Sequence, residues 1–167
     1  MGSEPIDALL DREARRLVAA LAARSATLST AESLTAGMVS SAVAGVPGAS
    51  SVLRGGAVTY VNEVKERVLG VSARSIAEHT EVSHEVAREM AAGSRRLFGS
   101  DVAVSLTGYA GPGGGTEENP VGTVYIGVSS AAGTESFRRT FDGDRARVRA
   151  EAALAALGLA LARVGSM

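Results

Sequence analysis

The sequence predicts an α/β fold: three layers, α/β/α, built around a mainly parallel mixed sheet. Three observations carry that prediction. Segments with apolar residues three to four apart alternate with short β-prone or apolar runs of strand length. The alternation gives way near the end to two strand-like runs joined through Ala132-Gly133, followed by a long helix-like stretch. The length of 167 residues, 46% of them apolar, suits one domain that buries roughly 70% of the surface its unfolded chain would expose. The expectation is therefore a single domain over 1–167, with no linker, repeat or low-complexity segment.

Ile6, Leu9, Leu10, Ala14, Leu17, Val18 and Leu21 lie on one helical stripe, which predicts an amphipathic helix over 5–24. Thr27 to Ala31 reads as a strand, followed by a tight turn at Ser33 and a helix that closes near Gly45 and Pro47. Val52 to Val61 reads as another strand, with Gly55-Gly56 permitting a bend or a close backbone approach. Asn62 to Leu69 gives a turn or two of helix, ended by Gly70. Ser83 and Gly99 bracket a capped helix over 84–98. The apolar run from Val102 to Thr107 is a strand that opens into a long loop, 108–120. Val121–Ser129 and Glu135–Phe141 form an antiparallel hairpin, and Asp144 caps a final Ala- and Leu-rich helix over 145–164.

Composition excludes several functions. The 17 basic and 18 acidic residues leave a net charge of −1, too little positive charge for nucleic acid as the main partner. There are no cysteines and two histidines, which removes thiol chemistry and thiolate metal sites and disfavours a metal hydrolase. No apolar run is long enough to span a membrane, and the acidic start does not resemble a signal peptide, so the expected location is the cytoplasm. Of the 17 basic residues, one is lysine, Lys65. A GC-rich gene could produce that bias. A chemical reading is sharper: arginine stays protonated, whereas a partly buried lysine can lose its proton and act as a base.

Three strand ends run into polar or glycine-rich sequence: around Ser33, around Tyr60 and Lys65, and around Thr107 to Gly115. In open α/β sheets ligands bind beyond the carboxyl ends of strands, so these segments are candidates for one crevice. Ser33 could be an N-cap, or a hydroxyl facing the N–H groups of a helix start that bind anions. The turn lacks the glycines of a G-x-S-x-G elbow, and no S-x-x-K motif is present. Lys65, with Tyr60 as a possible relay, is the candidate base for Ser33. His79 and His84 read as solvated. The loop Gly111-Pro-Gly-Gly-Gly-Thr116 can aim several N–H groups at a phosphate but lacks the ending of a nucleotide-hydrolase P-loop. Arg145 and Arg149 share a helix face near its positive end, where they could join in phosphate binding or pair with Asp142 or Glu151.

Together these segments carry a family resemblance. Thr30-Ala-Glu-Ser-Leu-Thr-Ala-Gly37, Gly55-Gly-Ala-Val-Thr-Tyr-Val-Asn-Glu-Val-Lys65, Thr107-Gly-Tyr-Ala-Gly-Pro-Gly-Gly-Gly-Thr116, Asn119-Pro-Val-Gly-Thr123 and Gly143-Asp-Arg-Ala-Arg-Val-Arg149 occur in order. The chain resembles the CinA C-terminal domain family, in its stand-alone form, whose enzymatic members are nicotinamide-nucleotide amidohydrolases. The resemblance implies hydrolysis of nicotinamide mononucleotide to nicotinate mononucleotide and ammonia, with Ser33 as nucleophile and Tyr60 and Lys65 assisting proton transfer. N–H groups near Thr35, Ala36 and Gly37 would hold the oxyanion. Thr107, Gly108, Gly111, Gly113, Gly114 and Thr116 fall where the family places ligand contacts. No metal or organic cofactor is implied; the partner is a small nucleotide, and the assembly a homodimer. Alternative readings are a nucleotide-binding module without turnover, and a partner-binding protein. The family's usual Cys-Thr-Gly-Gly after the serine reads Leu34-Thr35-Ala36-Gly37 here; Tyr109 and Asn119 also depart from its pattern. If position 36 needs a positive φ, Ala36 strains the turn by roughly 1 kcal/mol or more.

Overall fold

The computed structural model describes residues 4–167; the first three positions of the expected 1–167 domain lie outside the described residues. The elements follow in the order α1 (Ile6–Ala23), β1 (Leu28–Glu32), α2 (Met38–Ala44), a 3-10 turn (Ala49–Ser51), β2 (Leu53–Val58) and α3 (Asn62–Leu69). Then come α4 (Ala73–His79), α5 (His84–Phe98), β3 (Val102–Gly108), β4 (Thr123–Ser130), β5 (Gly133–Thr140) and α6 (Arg145–Gly165). The expected boundaries hold to within about two residues, except at the end of β2, which stops at Val58 rather than Val61, and for α4. Ser83 accepts a hydrogen bond from the Val86 N–H and Asp144 from the Arg147 N–H, so both expected caps form. The short helix α4 was not expected. It buries none of its residues, so it carries no apolar stripe to read.

The five strands lie in the order β2-β1-β3-β4-β5. β1 pairs parallel with both β2 and β3, and β3-β4 and β4-β5 are antiparallel, so four strands run one way and β4 runs against them. The chain leaves β1 for one neighbour, β2, then returns to the other, β3. With right-handed crossovers, that reversal puts the connecting helices on opposite faces of the sheet. α1, α2 and α6 enclose the larger core with Leu28, Val104, Leu106 and Ile126. α5 covers the other face, with α3 and α4 against it.

Period-two alternation along the strands sorts the polar residues. On β1, Thr30 and Glu32 reach Ser40 of α2, whereas Ser29 reaches Ser94 of α5. On β3, Ser105 donates to the Ala87 carbonyl of α5. Ser33 and Thr107 continue the α5-facing sets of their strands. Both stand at the carboxyl edge, where the strand order reverses, which is the switch point that makes a crevice in this class of sheet. On that same side α3 docks on α5 through Gly93, where a Cβ would lie 2.0 Å from the Leu69 carbonyl oxygen.

Candidate active site

Ser33 follows the last residue of β1, and its N–H still donates to the Leu106 carbonyl of β3 at 3.0 Å. The chain then turns sharply. Ala36 adopts φ +48° and Gly37 φ +98°, so the strain foreseen for an alanine at position 36 is present. Two charged side chains fasten this turn. Glu32, fully buried, accepts from the N–H groups of Gly37, Val39 and Ser40 and from the Ser40 hydroxyl. Arg149 reaches across from α6 and donates to the carbonyls of Leu34 (2.8 Å) and Thr35 (3.2 Å).

Lys65 enters from α3. Its side chain is buried, 1% exposed. Its Nζ lies 3.3 Å from Ser33 Oγ, and donates to the carbonyls of Thr59 (3.0 Å) and Tyr60 (3.3 Å). Burial lowers its pKa from the usual lysine value, and the carboxylate of Glu81 works in the other direction. The arrangement has a consequence for the neutral amine. Two N–H bonds are taken by two backbone carbonyls, so the nitrogen's remaining tetrahedral direction, occupied by a lone pair, is left for the serine hydroxyl.

These groups face a cavity of about 190 Å³ lined by Ser33, Leu34, Tyr60, Lys65, Glu81, Thr107, Gly108, Tyr109, Gly111, Gly113 and Arg145, among others. The three segments singled out in the sequence thus converge. Thr107 donates its hydroxyl to the Glu81 carbonyl at 2.6 Å. Arg145 bridges two walls of the cavity, donating to the Gly111 carbonyl (2.9 Å) and to the Tyr60 hydroxyl (2.7 Å). Among the described residues no cluster of three or more His, Asp or Glu could hold a metal ion, and no helix is long and apolar enough to cross a membrane.

Several expected roles are corrected by the geometry. Ala36 and Gly37 form the turn as expected, but their N–H groups are taken, by the Ser33 carbonyl and by Glu32, so they are not free for an oxyanion. The start of α2 is occupied by the protein's own carboxylate. The N–H groups of Leu34 and Thr35 have no partner among the described residues. Arg149 does not line the cavity; it holds the turn, because its guanidinium is satisfied by two carbonyls. Neither it nor Arg145 pairs with Asp142 or Glu151, the latter being taken by Arg147. Tyr60 touches Lys65 through its backbone carbonyl, while its phenol is engaged by Arg145, so the relay through the hydroxyl is not formed. Gly114 and Thr116 lie off this cavity: Gly114 packs toward the Tyr109 ring, and the Thr116 hydroxyl accepts from the Asn119 N–H. His84 also lies outside it, half-buried against Tyr125 with its Nδ1 2.6 Å from the Ser136 hydroxyl.

Sequence reasoning passed over Glu81 and the carboxylate of Glu32, whereas Tyr109, noted as a departure from the family pattern, does line the cavity. Glu32 had a readable signal, being an acid between a strand and a helix start, where a carboxylate is favoured. Glu81 had none.

Comparisons with known proteins agree with this architecture. The CinA C-terminal domain family model matches residues 10–164. A CinA-like protein of Anaeromyxobacter sp. (strain K) is 52% identical over 143 residues, covering 86% of this chain and 35% of its own length. One from Thermotoga sp. (strain RQ2) is 46% identical over 134 residues, covering 80% of this chain and 33% of its own. The chain therefore spans about a third of these relatives. Among solved structures, a competence-damaged protein (CinA) superfamily protein from Klebsiella pneumoniae superposes with a TM-score of 0.91 at 34% identity, covering 95% of this chain and 99% of that one. A competence/damage inducible protein from Agrobacterium tumefaciens gives 0.90 at 33% identity, with 99% of each covered. The chain belongs to the CinA C-terminal domain family.

Proposed function

From that membership and the geometry of the cavity, we propose that the chain is an amidohydrolase, converting nicotinamide mononucleotide to nicotinate mononucleotide and ammonia through a serine acyl-enzyme. One observation supports this above the others: a buried lysine, its pKa lowered by burial, whose Nζ lies 3.3 Å from the hydroxyl of Ser33. A serine is a weak nucleophile until a base stands beside it, and a desolvated lysine is such a base.

Neutral Lys65 takes the Ser33 proton as Oγ attacks the carboxamide carbon. The tetrahedral oxyanion is held by the unpartnered N–H groups of Leu34 and Thr35. Lys65 then gives the proton to the departing nitrogen, and ammonia leaves. Water adds to the ester, Lys65 again carries the proton, and the C–Oγ bond breaks to regenerate the serine. Arg145, at the mouth, exchanges the Tyr60 hydroxyl and Gly111 carbonyl for the substrate's phosphate, assisted by N–H groups of the glycine-rich loop.

Ammonia release from nicotinamide mononucleotide tests the reading. Wild-type protein is expected to release it, and Ser33→Ala to lose at least about 10³-fold in kcat while keeping nucleotide affinity. Near-normal turnover by Ser33→Ala would end the acyl-enzyme mechanism. Binding without turnover by the wild type would favour a nucleotide-binding module.

A further inference from the structure

We propose that Glu81 is a cation-recognising group of this cavity, selecting an amide whose ring carries a positive charge, an N-substituted pyridinium, over the neutral ring. The substrate class rests on the amidohydrolase reading above; the recognition argument rests on Glu81 itself.

The acids around it show how unusual it is. Glu78 pairs with Arg74, Glu85 with Arg88, and Glu89 accepts from the Ser72 N–H and the Ser75 hydroxyl. Glu81, on the loop between α4 and α5, has neither an ion pair nor a side-chain hydrogen bond among the described residues. Yet its place is fixed. The Thr107 hydroxyl holds its carbonyl, and Ser83 donates its hydroxyl to the carbonyl of Thr80, which sits at φ +66°. The carboxylate acts on two groups of the cavity wall, Lys65 and Tyr109. It opposes the lowering of the lysine's pKa by burial, and it adds to the raising of the tyrosine's by burial.

The charge balance of the cavity then asks for a cation. Its ionisable side chains are Tyr60, Lys65, Glu81, Tyr109 and Arg145. Arg145 is engaged with Tyr60 and Gly111, and on the reading above with the phosphate once substrate is bound, while Lys65 must be neutral to take a proton from Ser33. In that reactive state Glu81 has no cation facing it. A pyridinium ring supplies one, and the aromatic rings of Tyr60 and Tyr109 favour the same charge. At about 190 Å³ the cavity is smaller than the roughly 300–1,000 Å³ typical for a drug-sized ligand, which suits a single substituted ring.

The pairing also couples binding to chemistry. A cation beside Glu81 offsets the pull of that carboxylate on the lysine proton, so it favours the neutral amine that the reaction needs. A charged ring thereby prepares its own base.

Binding of 1-methylnicotinamide, a permanent cation, and of nicotinamide, its neutral counterpart, tests this by calorimetry or NMR titration. Both are measured in Ser33→Ala protein, which prevents turnover, with and without Glu81→Gln. The cation is expected to bind about ten-fold more tightly than nicotinamide, with Glu81→Gln abolishing the difference and Glu81→Asp retaining part of it. In otherwise wild-type enzyme, Glu81→Gln should also move the rising limb of the kcat/KM profile to lower pH, because Lys65 loses the carboxylate that raises it. Equal affinities for the two ligands, or a preference that survives Glu81→Gln, would overturn the proposal. Selective cation binding without ammonia release would keep it and remove the hydrolytic reading; ammonia release without cation preference would do the reverse.

Discussion

The two segments that form the walls of the cavity are built on opposite terms. The turn from Ser33 to Gly37 is largely buried, fastened by Glu32 from one side and Arg149 from the other, and strained at Ala36. The glycine-rich segment is anchored at buried Gly111 and Asn119, while residues 112–118 between them are exposed. A few hydrogen bonds shape it, among them Thr116 N–H to the Asn119 carbonyl at 2.8 Å. On the proposed reading Ser33 is the nucleophile, and a nucleophile aimed before substrate arrives needs its peptide planes fixed in advance. A loop that closes around a phosphate can be ordered by the ligand. On that reading the fastened turn lies where bonds would change, and the exposed loop where the ligand would be gathered.

Breaking the chemistry of the rigid side should give the largest effect. Lys65→Arg keeps the charge but removes the base, because guanidinium stays protonated. The expected loss is about 10²–10⁴-fold in kcat, with KM changed much less, measured by steady-state ammonia release. In the wild type, activity should rise with pH as Lys65 sheds its proton, and this rise should lie below the ordinary lysine pKa, 10.5, because burial lowers it. A Lys65→Arg enzyme with most of its kcat would move the base elsewhere.

An intermediate effect is expected from loosening the same turn without touching the reacting atoms. Arg149→Met leaves the Leu34 carbonyl without its donor and the Thr35 carbonyl with only the Met38 N–H, which should cost about 1–3 kcal/mol of folding stability by denaturant titration. It should also lower kcat more than it raises KM, since the Leu34–Thr35 peptide loses its fixed orientation. A KM rise with kcat intact would instead assign Arg149 to phosphate binding.

The smallest effects sharpen the contrast by having opposite origins. Ala36→Gly relieves the left-handed strain and is expected to stabilise by about 0.5–1 kcal/mol after the added freedom of the unfolded chain is subtracted. Gly113→Ala, where a Cβ meets nothing within 4 Å, should leave stability within about 0.5 kcal/mol and raise KM for the nucleotide a few-fold. Thermal unfolding of both variants, beside their kinetics, distinguishes a strained turn from an open loop.

Much of this was legible in the sequence. Helical stripes, the Ser83 and Asp144 caps and the strand-length runs all rest on local patterns, and the structure keeps them. The meeting of Ser33 with Lys65 could be anticipated because a lone lysine in an arginine-preferring chain is a chemical oddity. Arg149 in its place on the turn and Glu81 in its proposed role were not legible. Arg149 acts on carbonyls from an element distant in sequence, and Glu81 is conspicuous for the partner it lacks; neither leaves a period or a spacing. The carboxylate of Glu32 fills the helix start, which the sequence pattern by itself leaves open to anions.

The contact between Gly93 and Leu69 sets a mechanical tolerance for the proposed reaction. α3 carries Lys65, the proposed base, and at Gly93 it rests on α5 with the Leu69 carbonyl directly against the glycine backbone. A methyl group at position 93 would act as a shim, tilting α3 and drawing the amine away from its hydroxyl, although residue 93 lies outside the cavity. In a mutational scan such a position would score as an active-site residue. For anyone redesigning the cavity, the spacing between these two helices is the dimension to leave alone.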